Sequence, residues 1–312
     1  MKLGAGAALG GVTLLVVACN AIIARDVVQC RTDKDCQTRA DPNFEGSACV
    51  DDVCMDPLWC ASGQVTIPQQ DGSRYVRTRV RFFDIAALEP VEGAEVLVCP
   101  DTDVDCSTSE PIDGPLTTDA QGYVTADVPY AFRGTFYVDK MPASWDPAVH
   151  KGEFIKTILH SRRFNTEDEP ADLSIEAYQA ARLATRGDLS TLLGDVNLPF
   201  VDDKAIVFGA VYDCNDRPLP GAKVEGEPVD ATPTATDAGP DRPITPFYDV
   251  NGTPTLGEKA TGSSGIFGFF FAPRGQFAVK VRYGQFEWAD ARVVLVAGKL
   301  TTLGVRYSPG AL

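Results

Sequence analysis

The sequence predicts a mainly β protein. Two tandem antiparallel β-sandwiches are joined by a short helical connector and preceded by a disulfide-rich segment. Three observations carry this. First, an ordered motif occurs twice: PVEGAEV (90–96), TDAQGYV (118–124) and GTFYV (134–138) are matched by PLPGAKV (218–224), TGSSGIF (261–267) and GQFAV (275–279). Both copies reduce to P-x-x-G-A-x-V, then T-x-x-x-G and two apolar residues, then G-x-F-x-V, an internal duplication of one β unit. Second, the segments around the motif alternate: Phe277, Val279, Val281 and Tyr283 with Ala278, Lys280 and Arg282, and Val76, Thr78, Val80 and Phe82 with Arg77, Arg79 and Arg81. That is the two-residue period of a half-buried strand. Third, the chain carries nine cysteines, five of them crowded between Cys30 and Cys60.

Residues 1–18 read as an export signal. Lys2 precedes an apolar run from Leu9 to Ala18, too short to remain as a membrane span. The run ends in LVVAC, which resembles a lipobox, and Cys19 is the expected site of lipidation. The rival reading is an ordinary signal peptide with Cys19 in a disulfide. Each buried CH₂ of an acyl chain contributes about 0.8 kcal/mol, so two or three chains anchor a domain stably. Asn20 after the cysteine, by similarity to other Gram-negative lipoproteins, implies passage to the outer membrane, on its periplasmic or surface face.

Residues 19–63 form a cysteine-rich tether. Removing Cys19 leaves eight cysteines, Cys30, Cys36, Cys49, Cys54, Cys60, Cys99, Cys106 and Cys214, an even set that suggests disulfides and an oxidising compartment. The segment is too polar and short to build a core, so disulfides must order it. Zinc is the alternative, but the paired C-x-x-C knuckles are missing and no histidine is near. A bridge across the short loop between Cys99 and Cys106 would contribute about 2.5 kcal/mol on the chain-entropy account. Cys60 and Cys214 pair only by elimination.

Residues 64–145 make the first sandwich. Pro90 presets a turn, and Gly93 and Gly122 allow backbone angles that a β-carbon forbids. Val96 and Val98 then share one strand face. The loop at 100–106 spaces Asp101, Asp103 and Asp105 like a calcium loop, yet Cys106 stands where a turn glycine is needed and Ile112 where a bidentate Glu is needed. A solvated acidic loop is the expectation, and Arg77, Arg79 and Arg81 are expected to form the wet face of a strand. In the connector, 146–202, Ser174 can cap a helix that buries Ile175, Tyr178 and Ala181 and ends at Gly187. Asp188 can cap a second helix, 189–193, closed by Gly194. The second sandwich, 203–312, repeats the plan with Pro218, Gly221 and Gly265. Its 228–254 stretch, rich in Pro, Thr, Ala, Asp and Gly, is expected to be a long exposed loop.

The pattern D-x-x-x-x-P-x-x-G-A-x-V (Asp213 to Val224), followed by T-x-x-x-G and G-x-F-x-V, resembles the carboxypeptidase regulatory-like domain. The resemblance implies a transthyretin-like (prealbumin-like) Greek-key sandwich of the carbohydrate-binding-like group, also similar to the repeats of Gram-positive collagen adhesins. It covers about 203–309 well and about 64–140 loosely, with Asp84 displaced by one residue. The layout as a whole resembles cysteine-rich lipoproteins of myxobacteria. A motif of turns and strands implies a fold and carries no chemistry.

Catalytic machinery is not legible. His150 and His160 are the only histidines, and His150 is followed by Lys-Gly-Glu rather than the spacing of a metal helix. There is no nucleophile elbow, phosphate loop or dinucleotide fingerprint, so no catalytic residue, metal or cofactor is expected. A Lys–Asn isopeptide crosslink, frequent in the adhesin modules, is not expected in the second unit. The formal charge of −15 becomes one unit more negative when Lys2 leaves, which disfavours nucleic acid and anionic lipid. Membrane attachment is then expected through the N-terminal lipid alone. The expected role is a non-catalytic surface lipoprotein making structural or adhesive contacts with a cell-surface glycan or protein. The alternatives are a carbohydrate- or peptide-binding accessory module, with Phe247, Tyr248, Phe286 and Trp288 as candidate aromatics, and a regulatory partner of a secreted peptidase.

Overall fold

The structure, a computed structural model, describes residues 30–31, 33–37, 48–50, 53–55, 70–85, 87–140, 142, 145, 152–160, 171–172, 182–213, 217–229, 243–250, 253–284 and 286–306. It divides into two compact units, 1–57 and 58–312. In the first, the short helix α1 (Asp33–Gln37) precedes a hairpin of β1 (Ala48–Val50) and β2 (Val53–Met55), with Cys49 directly opposite Cys54. Cys30 and Cys36 are buried, and each is in a disulfide.

The second unit is mainly β and sandwich-like. Its first copy comprises β3 (Asp71–Arg81), β4 (Phe83–Asp84), β5 (Glu95–Cys99), β6 (Asp113–Thr117), β7 (Tyr123–Tyr130) and β8 (Thr135–Lys140). The connector supplies β9 (Phe154–Ile155), β10 (Thr157–His160), β11 (Ala171–Asp172), β12 (Arg182–Thr185) and the helix α2 (Arg186–Asp195). The second copy comprises β13 (Ala205–Tyr212), β14 (Lys223–Pro228), β15 (Thr245–Val250), β16 (Thr253–Leu256), β17 (Ile266–Ala272), β18 (Gly275–Tyr283), β19 (Phe286–Leu295) and β20 (Leu300–Arg306).

Alternation along these strands produces the cores. Val80, Phe82, Val124, Ala126 and Val128 on β3, β7 and the residues beside them meet Val96, Val98, Phe136 and Val138 on β5 and β8. In the second copy, Val207, Val211, Phe267 and Phe269 meet Val224, Phe277, Val279 and Val281. Phe136 and Phe277, the aromatic of G-x-F-x-V in each copy, are fully buried. Each stabilises its core by roughly 1.5–3 kcal/mol.

The two cores share one sheet. A nine-stranded sheet runs β16-β15-β17-β13-β20-β10-β8-β5-β6. The four-residue strand β10 lies antiparallel to β8 of the first copy and parallel to β20 of the second, which itself lies parallel to β13. The connector is therefore more than a helical spacer: TILH (157–160) is wholly buried and joins the copies by main-chain hydrogen bonds. Ile158, Tyr137, Cys99 and Val104 form a small apolar cluster there, against which Val294 and Val296 of the second copy pack.

Three local readings are corrected. Thr185, not Asp188, caps α2, and Asp188 closes the capping box from the third helical position. Its carboxylate accepts from the Thr185 N–H at 2.8 Å, and an acid at the third helical position looks in sequence like an acid at the cap. The expected helix after Ser174 does not run to Gly187: 182–185 form β12 and Gly187 lies inside α2, while Ile175, Tyr178 and Ala181 lie outside the described residues. The 228–254 stretch is not one exposed loop: 244–250 joins the core and pairs with β16 and β17. Phe247 stacks on Phe270 at 4.4 Å between ring centres, and the Tyr248 hydroxyl donates to Val224 O and accepts from Val224 N. Two large aromatics bury enough surface to order a strand that the surrounding Pro and Thr disguise.

Candidate functional site

The duplicated motif builds the same turn twice. In the first copy the Thr118 hydroxyl donates to Val91 O at 2.7 Å and accepts from Ala94 N at 2.9 Å. In the second, the Thr261 hydroxyl donates to Leu219 O at 2.6 Å and accepts from Ala222 N at 2.9 Å. Each threonine thus ties down the P-x-x-G-A loop that runs past it. Gly122 (φ 79°) and Gly265 (φ 67°) bring the next turn so close that a β-carbon would lie 2.6 Å from Phe82 O or Val211 O. The displaced Asp84 is also reconciled. Phe83 bridges Pro90 as Tyr212 bridges Pro218, so Asp84 and Asp213 occupy the same place after the strand. Each accepts from a backbone N–H of the loop that follows, Ala87 or Arg217, and the first loop holds one extra residue. The motif's turn residues are spent on main-chain geometry and its valines and phenylalanines on the cores.

The acidic loop is also structural. Asp103 is buried and accepts from the backbone N–H groups of Ser107, Thr108 and Ser109 and from the hydroxyls of Ser107 and Thr108. Burial pushes its carboxyl up, but these bonds outweigh burial and hold the pKa far below the usual carboxylate range. Such a depressed group stabilises the fold above its unfolded pKa of about 3.9 and loses that contribution as pH falls toward the folded value. Asp103→Asn is expected to flatten the acid limb of a stability–pH curve below about pH 4, read by urea melts at a series of pH values. An unchanged limb would assign the acid sensitivity elsewhere. Asp105, instead of facing a metal, accepts from Lys299 of the second copy. Lys299 also reaches the Tyr137 hydroxyl, which donates to Asp139, itself paired with Lys156 of the connector. Burial first, then the Asp139 bond and the Asp139 and Asp105 charges, keep the Tyr137 phenol protonated. Among the described residues no cluster of three His, Cys, Asp or Glu could hold a metal ion.

The loop is closed by the Cys99–Cys106 disulfide. Cys19, Cys60 and Cys214 lie outside the described residues, as does His150. His160 lies buried on β10. The side chains of Phe286 and Trp288 are outside the description. Phe247 and Tyr248, offered as ligand-facing aromatics, are core residues.

Among the described residues, the outer face of β3 and β7 is largely open. Tyr75, Arg77, Arg79 and Arg81 share it by alternation. Arg79 lies over the Tyr123 ring at 3.5 Å, and Arg81 lies near both Tyr123 and Phe83. Arg77 pairs with Asp127 across the strands, and Arg81 donates to Gln121 O. Arg79 has no hydrogen-bond or ion-pair partner among the described residues. The sequence marked these arginines as a wet stripe; the aromatic rings opposite them become legible only once the β3–β7 register is known.

No family model matches the chain, and no curated protein matches it. Among solved structures it is similar to the Bacillus anthracis TIE protein at 11% identity, covering 74% of this chain and 33% of that one, with a TM-score of 0.23. The chain thus spans about a third of the length of that protein. It is also similar to the shaft pilin SpaA of Lactobacillus rhamnosus GG (11% identity, 75% and 98% covered, TM-score 0.24). A third similar structure is BcpA, the major pilin subunit of Bacillus cereus (8% identity, 75% and 99% covered, TM-score 0.21).

Proposed function

We propose that this chain is a non-catalytic, exported lipoprotein, held at the outer membrane through Cys19, that presents a rigid pair of β modules for structural or adhesive contacts. The observation that carries this reading is the shared sheet. β10 hydrogen-bonds to a strand of each copy, so the modules behave as one stiff body rather than beads on a linker. The doubled motif supports it, because its repeated residues in both copies are occupied in turn geometry and core packing. The regulatory-like module type belongs to the same proposal and rests on those turns. No helix among the described residues is long and apolar enough to cross a membrane, so attachment in this reading falls to the lipid.

Mass spectrometry of the protein extracted from membranes tests it. The expected N-terminus is Cys19 carrying acyl chains, and Cys19→Ser should move the protein to the soluble fraction. A mature form starting elsewhere, without lipid, would overturn the anchor. A second reading, an accessory module that binds peptide or carbohydrate, is favoured by one feature: the exposed guanidinium and tyrosine face of β3 and β7.

A further inference from the structure

The two copies use one face of the duplicated unit in opposite ways. Because Phe82 and Phe83 correspond to Val211 and Tyr212 through their shared bonds to Gly122/Gly265 and Pro90/Pro218, residues can be matched along the strands. Arg79 and Arg81 take the places of Phe208 and Ala210, and by alternation Arg77 takes that of Ile206. The cross-strand pairs agree: Arg79 faces Thr125 and Arg81 faces Tyr123, as Phe208 faces Gly268 and Ala210 faces Ile266. In the second copy this face is covered. Ile206, Phe208 and Phe270 pack with Leu189 and Leu193 of α2 and with Phe247. In the first copy Arg77 and Arg79 are exposed, as is Tyr75 at 62%, while Arg81 is half-buried.

We infer that the outer face of β3 and β7 is a docking surface for an extended acidic peptide segment of a partner protein, the first copy's counterpart of the face that α2 covers in the second. The inference goes beyond the anchoring role and does not depend on the lipid.

Charge selects the partner. Rings beneath Arg79 and Arg81 hold the guanidinium groups in place while leaving N–H donors for carboxylates, so less freedom is lost on binding. The cations of the second copy differ. Lys280 is paired with Glu227, and Arg282 with Glu225 and Glu287, so neither offers an unused charge. Spacing selects an extended peptide. Alternate residues on a strand stand about 7 Å apart, so carboxylates on alternate residues of an extended chain keep step with Arg79 and Arg81, while Arg77 is already paired with Asp127. A polymer whose anions recur at another interval does not match that pair.

The test uses the full chain and a fluorescent decapeptide of alternating Asp and Ser, with an Asn-Ser peptide and polygalacturonate as comparators. The acidic peptide should bind and the neutral one should not, and raising salt should weaken binding steeply. Arg79→Gln should weaken it about tenfold, the loss of one charge-assisted contact. Arg81→Gln should weaken it less, because one N–H of Arg81 is already bonded to Gln121, and Lys280→Gln should leave it unchanged. Arg79 is exposed, so its variant keeps the fold, which a matching melting curve verifies. Equal binding of the neutral peptide, or an Arg79→Gln affinity equal to wild type, would overturn the inference. Tighter binding of polygalacturonate than of the peptide would also overturn it and give the face to an acidic glycan.

Discussion

Gly265→Ala should lower stability by about 2–5 kcal/mol, and Gly122→Ala should do the same. Two effects add. The residue sits in the left-handed region, which costs a side chain roughly 1–2 kcal/mol. Its new β-carbon would also meet Val211 O at 2.6 Å and the Leu219 N and Pro218 Cα at 3.1 and 3.2 Å. Backbone on every side cannot step back without breaking the bond from Val211 N to Gly265 O that fixes the turn, so overpacking contributes roughly 1–3 kcal/mol more. Gly284→Ala is the control. It has a similar φ of 56° but nothing within 4 Å of the added carbon, so only the conformational strain should appear. Urea denaturation followed by tryptophan fluorescence separates the two. Equal losses at Gly265 and Gly284 would mean that the close approach is not what demands glycine.

Thr261→Val should cost about 2–4 kcal/mol, although it removes no volume. The hydroxyl is buried and serves two main-chain groups at once. Valine would leave Leu219 O and Ala222 N without partners, at about 1–3 kcal/mol each, partly relieved by relaxation of the loop. Thr261→Ser keeps the hydroxyl and should recover most of the loss. Thr118→Val and Thr118→Ser should reproduce the pattern in the first copy, since the bonds there match within a tenth of an ångström. A serine variant as unstable as the valine one would show that the methyl, rather than the bracket, matters.

The duplication was legible because turns write themselves into sequence. A proline, a glycine at positive φ and a threonine bracket leave fixed letters at fixed intervals, and Asp84 fell out of line by only one inserted residue. Alternating strands such as 275–283 were legible for the same reason. What escaped was non-local. Thr157–His160 is four residues long and buried on both sides, with no alternation to announce a strand. Only the arrival of β8 and β20 on either side gives it an edge to pair with. Phe247 and Tyr248 were misplaced because composition was averaged over a stretch in which two aromatics decide the outcome. The candidate surface was half legible: the arginines stood out, but Tyr123 beneath them comes from a strand some fifty residues on, as the Arg77–Asp127 pair shows.

The shared strand also makes neither half a spare part. Severing the chain before residue 203 would strip β20 from β10 and leave a raw row of unpaired amides and carbonyls on one fragment, and another on its counterpart. Bare rims of that kind recruit whatever pleated rim comes next, including their own kind. The repeat that looks in sequence like two interchangeable parts is, in its hydrogen bonding, a single casting.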